Sequence, residues 1–195
     1  SQLHVIHPDT EVTVDAVVAA VGVAAQLNGL GLENLDVELD DKRRPPCDPQ
    51  TMQIADLPIF IAGDANTYRP ILHEALDDGF IAGSNALAEK VNCYCRRTKL
   101  MLVFSDPQIA VAGQTHQQLQ TQNQPFVTGS TDFQTQSRAV LEMRNQGRIQ
   151  LYADRQTGRI LGGELVCPRA EHLAHQLAAA VHHRVTVWDM LHTPF

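Results

Sequence analysis

No run in the 195-residue sequence is long and apolar enough to cross a membrane as a helix, and from its opening residues no signal peptide is expected. Basic clusters are equally scarce. None exceeds Lys42-Arg43-Arg44, and 15 Lys and Arg against 22 Asp and Glu give a net charge of −7. That balance argues against nucleic acid or an anionic membrane surface as a partner. The four cysteines (Cys47, Cys93, Cys95, Cys167) build no dense framework and no Cys-x-x-Cys or Cys-x-x-x-x-Cys spacing. A reducing, cytoplasmic compartment is the expectation. Cys47 reads as an inert or surface thiol. Cys93 and Cys95 are too close for an unstrained disulfide and make a poor chelate alone, so they read as part of a linker. His172 and His175 stand three residues apart, not four as in His-Glu-x-x-His, and no third ligand converges on them; no metal is expected. A Gly-x-Gly-x-x-Gly nucleotide turn is also lacking.

What is present suits a globular protein. The chain is 44% hydrophobic and 19% charged, long enough for one large domain or two small ones. Its organising stretch is Leu57 to Ala65, followed by a helix pattern from Pro70 to Ala88. Ile59 to Ala62 reads as a buried strand that ends in Gly63-Asp64. The chain then turns through Asn66-Thr67-Tyr68-Arg69 into a helix with Pro70 in its first turn. Gly63 lets backbone approach a ligand, Asp64 offers acceptors for hydroxyls, and the helix start offers unpaired N–H groups and a positive dipole end. A polyhydroxylated, partly anionic ligand fits such a site. Gly-Asp after a strand is also a common ordinary turn, and by itself it carries little. The helix is expected to place Leu72, Ala75, Leu76, Gly79, Gly83, Ala86 and Leu87 on one face, with Asp77 and Asp78 outward. The small residues Gly79, Ala82, Gly83 and Ala86 would let another backbone lie close. His73, in the first turn, reads as a structural hydrogen-bonder rather than an acid or base.

Before this stretch, the apolar run of residues 16–21 reads as a fully buried strand of a parallel sheet. Residues 29–57 are loop-rich, broken at Asp40 to Pro46. A domain boundary is expected between about 90 and 100 from the change in composition. Beyond it come short strands: Leu100 to Phe104, Ile109 to Gly113, Phe126 to Phe133, Arg148 to Asp154 and Arg159 to Val166. Turns at Asn145-Gln146-Gly147 and Arg155 to Gly158 imply antiparallel pairing. Thr115 is a candidate N-cap for His116 to Gln122, and Arg169 to His183 is an amphipathic helix with Leu173, Leu177, Ala180 and Val181 on one stripe.

The order of these motifs resembles the pyridine nucleotide-disulfide oxidoreductases, the family of dihydrolipoamide dehydrogenase, glutathione reductase and mercuric reductase. IFIAGDANTYRPILHEALDDGFIAGSNAL resembles that family's second flavin-contacting motif, with Ile71, His73, Ala75 and Gly79 on its Leu-x-His-x-Ala-x-x-x-Gly places. Gly22 matches the start of a Gly-Arg-x-Pro-Asn element, while Val23, Ala25 and Gln26 replace its Arg, Pro and Asn. Phe104 to Ala110 resembles a Phe-Thr-Asp-Pro-Glu-Ile-Ala opening, and Gly113-Gln114-Thr115 a Gly-Leu-Thr. Ala153 to Leu173 resembles the hairpin and helix of the family's interface domain.

The resemblance implies an α+β chain: a C-terminal interface domain with an antiparallel sheet and flanking helices, preceded by a strand-loop-helix piece of an incomplete FAD/NAD-binding α/β domain. Its divisions would be 1–22, the end of an NAD-binding domain; 23–92, the last part of an FAD-binding domain; and 98–195, a dimerisation domain. Gly63, Asp64, Ala65, Ile71, Leu72, His73 and Ala75 would contact FAD, with Asp64 on the ribityl chain and the Ile71 to His73 amides at the ring. NAD would be the co-substrate and the partner a second copy of the chain. Ser1 is not a methionine and Phe195 ends an apolar-aromatic stretch, so a piece of a longer protein is expected. The redox disulfide is absent and the His-Glu pair is expected just beyond Phe195; His192 precedes that slot, and no residue here is assigned as catalytic. The chain alone should then be inactive. A glutathione- or mercuric-reductase-type member, or a non-enzymatic self-associating domain, stays open as an alternative.

Overall fold

The computed structural model of the chain describes residues 3–7, 10–66 and 68–194. Ser1, Thr67 of the expected loop and Phe195 lie outside the described residues. The chain divides into two compact units, Ser1–Cys93 and Tyr94–Phe195.

The first unit opens with an antiparallel hairpin of β1 (Leu3–His7) and β2 (Thr10–Val14), with Leu3 opposite Val14 and His7 opposite Thr10. The apolar run expected as a buried parallel strand is corrected here. Residues 16–22 have no regular structure and pair with no strand among the described residues, and Val18 and Val21 are 91% and 93% exposed. A fully buried parallel strand needs paired neighbours and a covering layer on each face. The strand nearest in sequence, β2, pairs with β1 instead.

Ile59 to Ala62 is also not the buried strand expected. These residues are half-buried and return antiparallel on 52–54: the Ile54 N–H donates to Ile59 O at 2.9 Å and the Ile61 N–H to Met52 O at 2.9 Å. Met52 and Ile54, both buried, form the small core under this return. A single 3-10 turn, Gly63–Ala65, follows.

Helix α1 (Leu72–Ala86) starts with Ile71 as its N-cap, so Pro70 lies just before the helix rather than in its first turn. The face expected to be buried is the wrong one. Glu74, Asp78, Ile81 and Asn85 are buried, at spacings of four, three and four. Leu72, Leu76 and Phe80 are 79%, 69% and 66% exposed. A methyl placed at Gly79 or Gly83 meets nothing within 4 Å. The polar stripe wins because Asp78 and Asn85 bond loop backbone that would otherwise go unpaired and Glu74 meets a loop guanidinium. Asn85 Nδ2 donates to Thr51 O and Asn92 O, each at 3.0 Å, and its Oδ1 accepts from the Asn92 N–H at 2.9 Å. Glu74 pairs with Arg69 at 3.0 Å.

The second unit is built on a five-stranded sheet of β3 (Leu100–Val103), β4 (Gln108–Gly113), β5 (Phe126–Asp132), β6 (Arg148–Asp154) and β7 (Ile160–Cys167). The order is β3-β4-β7-β6-β5 and every pair is antiparallel. The five expected strands are all present, within one residue at each end. Helix α2 (His116–Thr121) carries the expected Thr115 cap as a full capping box with Gln118. Two short helices were not anticipated: α3 (Ser137–Leu141) and α5 (Val187–His192).

Helix α4 (Ala170–His182) lies across the sheet. Ala170, Ala174, Leu177 and Ala180 meet Ala110, Ala112, Leu165 and Cys167 in the core of this unit. The small residues on both sides let helix and sheet approach closely. The architecture is the expected α+β interface domain with an antiparallel sheet and flanking helices.

Candidate functional site around the Gly63–Ala65 turn

Gly63 has φ of +67°, a left-handed conformation that an L side chain adopts only at a cost. That dihedral folds the backbone into the 3-10 turn and brings it against the first turn of α1, where a methyl added to Gly63 would stand 3.4 Å from the Ala75 Cβ. The Gly63 N–H donates to Asp78 Oδ2 at 3.1 Å, and Asn66 Nδ2 donates to the same oxygen at 2.7 Å. The Asn66 N–H closes the turn on Gly63 O at 3.0 Å, and its Oδ1 accepts from the Tyr68 N–H at 2.7 Å.

Asp64 stands out of this turn with its side chain exposed and makes no hydrogen bond among the described residues. With Ala65 it lines an open cleft of about 400 Å³, together with residues 23–26, Lys42, Arg44 and Pro70. Arg44 is already engaged: it pairs with Asp40 at 2.5 Å, and its hydrogen bond holds that carboxyl down at about 2. Lys42 makes no ion pair among the described residues. The cleft thus presents a carboxylate and an ammonium to whatever enters it.

At the helix start, Ile71 is half-buried and extended, and no side chain caps α1 among the described residues. The Leu72 and His73 N–H groups therefore face outward from an uncapped end, where the helix dipole is positive. Leu72 and His73 are exposed, and Ala75 is half-buried beneath the turn. The seven residues named from sequence gather around the turn and the first turn of α1.

Sequence reasoning missed two participants. Asp78 was expected to point outward and is fully buried against the turn. The spacing of Glu74, Asp78 and Asn85 carried that signal, since polar residues four and seven apart share one helix face. Lys42 was read as part of a charged break; only the three-dimensional return of the 40–46 loop brings it to Asp64.

The second unit holds a separate polar cluster. Tyr152, fully buried, donates from its hydroxyl to Glu164 Oε2 at 2.6 Å, and the His116 N–H donates to the same oxygen at 3.0 Å. Burial, then the Glu164 bond, push the phenol well above its ordinary range. The rings of His116 and Phe126 pack against Tyr152, at centroid distances of 5.7 and 5.8 Å. This cluster ties α2 to the sheet. No group of three or more His, Cys, Asp or Glu among the described residues could hold a metal ion.

Residues 101–195 match the sequence model of the pyridine nucleotide-disulphide oxidoreductase dimerisation domain. NAD(P)H dehydrogenase (quinone) of Mycobacterium tuberculosis is 30% identical over 173 residues, which are 89% of this chain and 35% of that protein. Mitochondrial dihydrolipoyl dehydrogenase of Rattus norvegicus is 27% identical over 181 residues, 92% of this chain and 35% of the relative. The crystal structure of LpdA from Mycobacterium tuberculosis superposes with a TM-score of 0.82 at 27% identity, covering 98% of this chain and 42% of that one. The HOCl-induced flavoprotein disulfide reductase RclA of Escherichia coli shares the fold, with a TM-score of 0.81 at 20% identity over 100% of this chain and 45% of that one. The chain spans little more than a third of the length of the curated relatives it matches. The family match identifies residues 101–195 as a pyridine nucleotide-disulphide oxidoreductase dimerisation domain, and the relatives are similar to this chain over both units.

Proposed function

We propose that this chain is the flavin-contacting and dimer-forming part of an FAD-dependent oxidoreductase that passes electrons between NAD(H) and a dithiol or disulfide, in the manner of dihydrolipoamide dehydrogenase. The observation that carries the reading is the convergence of Asp64 and Ala65 of the turn, Pro70 just before the uncapped start of α1, and Lys42 at one cleft. FAD fits the donor set: ribityl hydroxyls need a carboxylate acceptor, and its anionic groups need N–H donors and a cation. When bound, FAD supplies two-electron transfer between nicotinamide and sulfur. Asp64 would accept from the ribityl hydroxyls, Gly63 and Ala65 would admit the ligand close to backbone, and Ile71, Leu72, His73 and Ala75 would meet the ring. The positive end of α1 favours negative charge beside it, so it eases reduction of a group held there.

The unit-one surfaces support a larger flavin domain. Leu72, Leu76 and the 16–21 run are apolar and exposed, as residues are when a covering layer belongs elsewhere. In this reading residues 1–22 close a nucleotide domain, 23–92 complete an FAD domain, and 98–195 pair with a second copy of the chain. Nucleic acid is not a partner, given the net charge of −7. Among the described residues no helix is long and apolar enough to cross a membrane. Four free cysteines favour a reducing, cytoplasmic setting.

A second reading has its own support. The relative at 30% identity is named NAD(P)H dehydrogenase (quinone). The full-length gene product, assayed for NAD(P)H oxidation with lipoamide and with a soluble quinone, separates the two. Turnover with lipoamide supports the disulfide reading, and turnover with quinone alone supports the second. A colourless, inactive protein that still dimerises overturns both in favour of a self-associating domain. The 195-residue chain alone is expected to show no turnover with either.

A further inference from the structure

Asp64 has no hydrogen bond of its own among the described residues, so its place is inherited from the backbone that carries it. That backbone is held at its two ends by one atom. Asp78 Oδ2 accepts from the Gly63 N–H, one residue before Asp64, and from Asn66 Nδ2, two residues after it. We propose that Asp78 is the positioning residue of this site, a fully buried carboxylate that fixes the Gly63-to-Asn66 turn so that Asp64 is presented to the ligand. The inference rests on the flavin reading above.

The chemistry favours this role over simple packing. Burying a carboxylate is costly unless its oxygens are bonded, and an apolar side chain on this face would pack α1 without that cost. What an apolar residue cannot do is accept from two donors in the turn. Gly63 is left-handed, so once its N–H is released no side chain limits the dihedrals it can take. Behind the turn the Ala75 methyl blocks collapse on one side only. Glu74 is an internal control supplied by the fold. It is as buried as Asp78, lies one turn earlier on the same helix face and accepts from Arg69 at 3.0 Å.

The test uses the full-length gene product as wild type and as Asp64→Ala, Asp78→Ala, Asp78→Asn and Glu74→Gln. FAD dissociation is followed by flavin fluorescence, the midpoint potential of bound flavin by equilibration with a reference dye, and melting by circular dichroism. Asp78→Ala is expected to weaken FAD about tenfold and to shift the midpoint potential, as loss of a bond to a charged acceptor does. Asp78→Asn keeps one acceptor for the Gly63 N–H and recovers part of the affinity. It carries the comparison if Asp78→Ala does not fold. Glu74→Gln is expected to lower the melting temperature and leave the potential in place. The inference is overturned if the Asp78 variants melt earlier while affinity and potential stay at wild type, or if Glu74→Gln moves both as far. If the wild type holds no FAD, or Asp64→Ala binds it unchanged, the flavin reading itself has failed and the inference falls with it.

Discussion

Gly63 and Gly113 have nearly the same backbone, φ of +67° and +68°, in different surroundings, and replacing each by alanine separates dihedral strain from crowding. A left-handed conformation costs an L residue about 1–2 kcal/mol relative to glycine. At Gly63 the new methyl would meet only the Ala75 Cβ at 3.4 Å, an ordinary contact, so strain is the whole cost. At Gly113 it would stand 2.4 Å from Leu161 O, 3.0 Å from the Gly162 Cα and 3.2 Å from Val181 Cγ2. Backbone must move there, which adds about 1–3 kcal/mol of overpacking. Gly113→Ala should therefore cost about 2–5 kcal/mol in total. Urea denaturation with two probes reads the two units apart. The single tryptophan, Trp188, lies in the second unit, while far-ultraviolet circular dichroism sees both. Gly113→Ala should move the Trp188 transition to lower urea, and Gly63→Ala should leave it in place while shifting the remaining dichroism transition slightly. Equal losses for the two variants, or a larger loss for Gly63→Ala, would refute the reasoning.

Tyr152→Phe removes one of two donors to Glu164 Oε2 and leaves the His116 N–H; the second unit should lose about 1–3 kcal/mol, read from the same Trp188 transition. Burial holds the Cys167 thiol up at about 11 against an ordinary 9.0. Because the folded value is the higher one, that contribution is complete below pH 9 and is lost as pH rises from 9 to 11, by at most about 3 kcal/mol. Cys167→Ala should flatten the alkaline fall in stability over that window, and an unchanged pH profile would contradict it. A thiol reagent applied to the native chain should label exposed Cys93 and Cys95 at once and Cys167 only after unfolding.

The second unit was the more legible half because its signals are local. Its strands are bounded by turn residues such as Asn145-Gln146-Gly147, and the Thr115 cap and the α4 stripe depend on spacing within a few residues. Helix α5 was missed although it opens on a capping box, Thr186 with Asp189, because the apolar-aromatic residues around Trp188 mask its period. In the first unit, composition misled. Residues 16–21 and the Leu72-Leu76 face read as buried because they are apolar, yet burial depends on what packs against them. Along α1 the packed face was set by hydrogen bonds to the 51–66 and 92 backbone, a long-range demand that hydrophobic periodicity does not register. The candidate residues could be named together because turn and helix start adjoin in sequence. Lys42 and Asp78 were not, since the fold brings them in from 22 and 14 residues away.

A crystal structure of the full-length gene product grown with FAD tests the central claim most directly. The account predicts the Asp64 carboxylate within hydrogen-bond range of the ribityl hydroxyls, with the Leu72 and His73 amides against the flavin ring. A flavin seated elsewhere, with Asp64 still open to solvent, would contradict it.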